Sequence, residues 1–154
     1  MANNYSQFSE MIEDITPEEA EWIETVLGLD TQDESDLEQL KKELALEGDH
    51  NFEMWPYFEW KTGGANKCSL WLYSEEGLND SHLVWFVQAF INKFRPDFIF
   101  SATGADTCSK PRCGEFGGWW LVISKDEVVG GNTWDAAQAA VKALKTGNSG
   151  LEVD

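Results

Sequence analysis

Apolar residues recur along this chain with two different periods, and the change of period divides it. Up to about residue 46 the spacing is helical. Trp22, Ile23, Val26 and Leu27 form one stripe behind Thr16-Pro17-Glu18-Glu19. Thr16 can cap a helix, Pro17 suits its first position, and Glu18 and Glu19 lie where the helix dipole favours negative charge. Glu19, three residues after Thr16, completes a capping box, and Gly28 ends the segment. After an acidic connector from Asp30 to Ser35, a second helix is predicted from a cap at Ser35 or Asp36 to about Leu46. It has Leu37, Leu40 and Leu44 inward, Ala45 at the margin, and Glu38 and Lys42 as a favourable i,i+4 pair. Gly48-Asp49 closes it. Helices with apolar stripes this narrow should lie on something larger. Met1 to Ile15 is polar with scattered apolar positions and reads as a short helix or a loose arm.

From Phe52 the pattern becomes that of strands. Phe52 to Lys61 is aromatic-rich and reads as a strand, which Pro56 confines to an edge or a bulge. A turn at Thr62 to Asn66 leads to a second strand, Lys67 to Ser74, completing an antiparallel hairpin. Its faces split as Cys68, Leu70 and Leu72 against Trp71 and Tyr73. Asn79 or Asp80 caps the main helix and Arg95-Pro96 stops it. Leu83, Phe86, Val87, Phe90 and Phe94 share one face of that helix, widened by Val84 and Ile91, and this face should pack on the sheet. Strands are predicted at Asp97 to Ala102 and Gly118 to Ser124, then a tight turn at Lys125-Asp126 and a short run from Glu127 to Val129. A last helix, Trp134 to Lys145, capped by Thr133, has Ala137, Ala140, Val141 and Leu144 inward, and Gly147 ends it. The order α-α-β-β-α-β-β-α indicates a single α+β domain with a mostly antiparallel sheet of four or five strands and helices laid on it. An acidic helical part spans residues 1–50, the body 51–146, and a frayed tail 147–154.

Charge sharpens this division. Of the net −17, residues 1–53 carry −14, sixteen Asp and Glu against Lys41 and Lys42, while the remainder carries only −3. Such a field repels nucleic acid and anionic membranes, attracts basic partners and keeps the protein in solution. No apolar run reaches the roughly 18 residues of a membrane span, and no secretory leader is evident. Three cysteines, an odd and low count, suit reduced thiols in a cytoplasm.

Candidate chemistry concentrates between Thr103 and Gly118, a glycine- and proline-punctuated loop between apolar runs, where rigid flanks favour a site. Cys108 and Cys113 stand in a C-x4-C pattern. Zinc would need about four ligands, commonly through C-x2-C, and Cys68, His50 and His82 have no evident reason to converge there. Free thiols are the plain expectation, and a reversible Cys108–Cys113 disulfide is the redox alternative. Lys110 and Arg112 could lower a thiol pKa or bind an anion together with backbone N–H groups. The economical expectation pairs them with Asp106, Glu115 or the acidic helices. Gly117 and Gly118 suggest a bulge, a positive φ or a closely approached backbone. Trp55, Tyr57, Trp71, Tyr73 and one of Trp119 and Trp120 are expected on the sheet face away from the main helix; exposed they would form a stacking platform or partner surface, but the favoured expectation is that the acidic helices cover them.

The segment Cys108-Ser109-Lys110-Pro111-Arg112, followed by Glu115-Phe116-Gly117-Gly118 and an apolar strand, resembles part of an uncharacterised family of short bacterial, plasmid and phage proteins. The resemblance covers the second half of the chain, omits the acidic first third and implies no activity.

No catalytic signature and no cofactor motif stands out, so the residues favour binding over catalysis. The leading expectation is a cytoplasmic module that binds another protein, a basic one among the candidates. It would do so through the loop or through the acidic helices, with Glu18, Glu21, Asp33 and Glu34 beside Trp71 and Tyr73 as the contact residues. The rival is a small ligand-binding domain or enzyme whose site is Lys110, Arg112, Glu115, Gly117 and Gly118. Thiol redox sensing by Cys108 and Cys113 is the third.

Overall fold

The computed structural model describes residues 3–63 and 68–147. It is an α+β fold. Six strands, β1 (Asn4–Ile12), β2 (Glu59–Gly63), β3 (Ser69–Ser74), β4 (Phe100–Cys108), β5 (Gly117–Ile123) and β6 (Val128–Asn132), form one open sheet in the order β2-β3-β1-β4-β5-β6. Every neighbouring pair is antiparallel. Four helices accompany it: α1 (Pro17–Leu27), α2 (Glu34–Glu43), α3 (Asp80–Phe94) and α4 (Thr133–Lys145).

The sheet has one strand more than expected because the chain begins with β1, not with a helix or a loose arm. β1 is inserted between β3 and β4, with Phe8 opposite Ser74 on one side and Gly104 on the other. Its inward-facing positions include Ser6 and Glu10, and only Phe8 and Ile12 among its residues are buried. Apolar alternation is therefore nearly absent, and pairing on both edges, a tertiary effect, decides the conformation. Phe52 to Phe58 is likewise not strand. Trp55 N–H turns back to the Phe52 carbonyl, 2.9 Å, and the segment buries Phe52, Trp55 and Phe58 as a wedge before β2.

The helical signals hold closely. Thr16 and Glu19 form the capping box, with Thr16 N–H donating to Glu19 Oε1 at 2.8 Å and Glu19 N–H to Thr16 Oγ1 at 3.1 Å. The α2 cap is Asp33 rather than Ser35 or Asp36, and Leu44 already lies at the helix end. Asn79 caps α3 and Asn132 caps α4.

One core joins the sheet to α1, α2 and α3. Phe8, Ile12, Leu70, Leu72, Phe100, Ala102 and Ile123 pack with Trp22, Ile23, Val26, Leu40, Phe86, Val87 and Phe90. Trp22 stacks on Phe86 at 5.8 Å between ring centres, and its indole N–H donates to Glu43 Oε2. Arg95, ending α3, locks the corner between β1 and α1. Its Nε bonds Glu19 Oε2 at 2.9 Å, and its guanidinium also donates to the carbonyls of Glu13 and Asp14. Burial alone would raise the Glu19 pKa, but the hydrogen bonds and charge of Arg95 and the Thr16 N–H outweigh it and bring it below the usual value.

His82 ties the aromatic wedge to α3. It is fully buried; Tyr57 N–H donates to its Nδ1 at 3.1 Å, so Nε2 carries the proton and donates to the Asn51 carbonyl at 2.8 Å. Burial lowers its pKa, only partly offset by the Asn51 carbonyl, and the ring is held neutral.

Two expectations about coverage are overturned. The acidic helices share the α3 side of the sheet, because their stripes are completed by the α3 aromatics. The opposite face therefore carries Trp71 and Tyr73, half-buried and stacked at 3.8 Å, with no helix among the described residues laid over them. Trp55 is a core residue instead, donating its indole N–H to the Val26 carbonyl. Second, α4 packs mainly on β5 and β6, and none of its residues is buried, so the expected inward set Ala137, Ala140, Val141 and Leu144 has no core to enter. Among the described residues, no helix is long and apolar enough to cross a membrane.

Candidate functional site

Where α1, α2 and α3 stop covering the sheet, a cleft opens. Its walls are the start of β1 (Asn4, Tyr5, Ser6), the loop before α3 (Glu76, Gly77, Leu78), Tyr57, the end of β4 (Asp106, Thr107), residues 114–118, and the start of α4 (Asn132, Thr133, Trp134). It measures about 590 Å³. A neighbouring recess of about 470 Å³ shares Ser6, Leu78, Asp106 and Asn132 with it and adds Asp80, Trp119, Trp120 and Asp135.

The β4–β5 hairpin builds one wall. Its register sets Asp106 opposite Gly117 and Gly104 opposite Trp119. Trp119 lies flat over Gly104, where a Cβ would come within 2.1 Å of the indole, and also packs on Phe8. Gly118 N–H donates to Thr133 Oγ1 at 2.9 Å, and an added Cβ there would press on the Thr133 methyl at 3.3 Å. The glycine pair thus answers to close approach: it seats the first residue of α4 and leaves room for the cleft. Across the opening, Ser6 N–H bonds the Glu76 carbonyl and Asn79 N–H the Tyr57 carbonyl, both at 2.9 Å, fixing the opposite wall to the sheet.

The lining has one sign of charge. Glu76, Asp106 and Glu115 line the cleft, Asp80 and Asp135 the adjoining recess, and among the described residues no Lys, Arg or His lines either. Among the described residues, Glu19–Arg95 is the only ion pair, so the anticipated pairing of Lys110 and Arg112 with Asp106 or Glu115 is not formed. Tyr5, Tyr57, Phe116 and Trp134 supply aromatic surface around the carboxylates. Carboxylates gathered in a concavity concentrate negative potential, and aromatic faces attract cations, so this lining suits a cationic group carrying some apolar surface.

The candidate residues of the loop separate. β4 continues to Cys108, so the connection is shorter than expected, residues 109–116. Glu115, Gly117 and Gly118 enter the cleft, whereas Lys110 and Arg112 are exposed in the turn, where Arg112 N–H bonds the Lys110 carbonyl at 2.8 Å. Cys108 and Cys113 are free thiols, the first half-buried at the end of β4 and the second exposed. Among the described residues, no group of three or more His, Cys, Asp or Glu side chains is arranged to hold a metal.

The partner-binding candidates do not form one surface. Glu18 and Glu21 are exposed on α1, beside a shallow hollow that Lys93 already shares. Asp33 caps α2, its Oδ1 accepting from the N–H groups of Ser35 and Asp36, with Glu34 exposed next to it. Trp71 and Tyr73 lie on the other side of the sheet, with Lys61 over the Trp71 ring at 5.9 Å.

Tyr5, Glu76 and Trp134 were not marked by the sequence as site residues, Thr107 entered only as part of the Thr103–Gly118 loop, and Tyr57 was expected on the sheet face away from the main helix. Each sits at an element end, and only strand order brings the ends together. The acidic pair Glu75-Glu76 before Gly77 was the one local signal available. No protein-family model, curated protein or solved structure matches the chain.

Proposed function

We propose that this protein is a binding module for a basic protein partner, whose lysine or arginine side chains enter the acid-walled cleft. The observation that carries this reading is the lining: Glu76, Asp106 and Glu115 within about 590 Å³, bordered by four aromatic rings and, among the described residues, with no cation beside them. An arginine or lysine brings both halves of the complement, a charged head and an apolar stem. Exposed acids on α1 and α2 would assist at longer range by steering a cationic partner toward the molecule, an effect that salt screens. The same charge disfavours direct nucleic-acid binding, and the low, odd cysteine count supports a cytoplasmic setting.

The test is calorimetric titration with an arginine- and lysine-rich peptide, against an acidic peptide of equal length. Asp106→Asn combined with Glu115→Gln should weaken binding about tenfold or more, a loss of about 1.4 kcal/mol. Glu18→Gln with Glu21→Gln should change it much less, and added salt should weaken it throughout. Equal affinity for the basic and acidic peptides, or binding untouched by the Asp106 and Glu115 changes, would refute the proposal.

A further inference from the structure

The two edges of the sheet are built differently. β2 alternates exposed Glu59 and Lys61 along its length, charges that discourage another strand from adding there. β6, Val128-Val129-Gly130-Gly131-Asn132, carries no charge, no proline and no large polar side chain, and Val128 and Val129 are exposed. Among the described residues, β6 pairs with β5 alone. Directly after this edge comes α4, whose Trp134, Ala137, Val141 and Leu144 recur at helical spacing on one stripe. Trp134 is 65% and Leu144 71% exposed.

We infer that this end of the molecule pairs with a second copy of the chain, β6 to β6 and α4 to α4, about a two-fold axis. Three features select a second copy as the occupant. First, a two-fold axis normal to the sheet makes both the strands and the helices antiparallel, the arrangement in which an edge strand and its following helix complement themselves. Second, the helix is self-complementary in that direction. Centred between Gln138 and Ala140, the antiparallel pairing sets Trp134 against Leu144 and Ala137 against Val141 of the second copy. The helix dipoles then oppose favourably. Third, charge elsewhere forbids self-contact. Each chain carries −17, most of it in the first 53 residues, whereas residues 128–147 hold only Asp135, Lys142 and Lys145. Copies meet at this end with less like-charge repulsion than elsewhere, and pairing there closes the assembly at two.

Sedimentation equilibrium of the full chain over a range of concentrations tests this. The wild type should be dimeric, and raising the salt should tighten the dimer by screening repulsion between two acidic bodies, opposite to its effect on basic-peptide binding. Val141→Glu with Leu144→Glu should give a monomer with unchanged circular dichroism, since these side chains lie outside the core. Val129→Lys, which blunts the edge and leaves the helix alone, should weaken the dimer at least about tenfold. A wild type that stays monomeric to its solubility limit, or variants that dimerise as well as the wild type, would overturn the inference.

Discussion

Two ends of the same sheet have been put to different uses. At one end β3, β1 and the start of β4 lie beneath three helices. The large apolar side chains between the sheet and those helices are buried or packed against the core, and polar groups such as His82 and Glu19 are fully engaged. At the other, β5 and β6 carry a helix with no buried residue, and the carboxylates beside it have no cationic partner among the described residues. The contrast separates residues that hold the fold from residues available to something outside it. The acidic first third is structurally committed through α1 and α2, and the less charged remainder supplies most of the open site.

The contrast is broken or sharpened first by truncation. Phe86→Ala removes a fully buried ring touching Trp22 and Phe58 and should cost about 3–5 kcal/mol in urea unfolding. Leu144→Ala, a truncation of an exposed side chain, should stay within about 0.5 kcal/mol when measured on the monomer. A large loss at Leu144 would mean that α4 belongs to the core after all.

Next come two carboxylates. Glu19→Gln removes the partner of Arg95 and weakens the capping box, a loss of about 1–3 kcal/mol. Glu115→Gln should leave stability unchanged or slightly raised, because it removes a charge from an acidic cluster with no partner to abandon. The Glu19 pKa is lowered by folding, so its stabilisation is complete above its ordinary value of 4.5 and is lost as pH falls below it. Glu19→Gln should flatten that part of the stability profile.

A smaller effect falls at higher pH. The His82 pKa is also lowered on folding, so its contribution is full above 6.5 and declines as pH drops below it, since the unfolded ring takes up a proton the buried ring refuses. Urea midpoints measured at successive pH values should show this decline in the wild type and lose it in His82→Gln.

How much of this could be read from the chain follows the same division. Wherever one residue type answers one local geometric need, the sequence is explicit: the Thr16–Glu19 box, the Asn79 cap and the α3 face appear where expected. The α+β class follows from these and from the β2–β3 pairing. β1 was hidden because a central strand can be made of Asn, Ser, Gln and Glu when both neighbours satisfy its backbone. Missing β1 also hid the cleft, since Tyr5 and Ser6 bring one wall to Asp106. The inward reading of Val141 and Leu144 failed for a different reason. Periodicity shows that a helix has an apolar side but not whether this chain supplies what covers it.

The most direct test of the central claim is to map amide chemical shifts while the basic peptide is titrated in. Shifts should concentrate at Ser6, Gly77, Asp106, Thr107 and Glu115 to Gly118, with α1 and α2 changing little. Shifts centred on Glu18, Glu21 and Glu34, with the cleft silent, would contradict it.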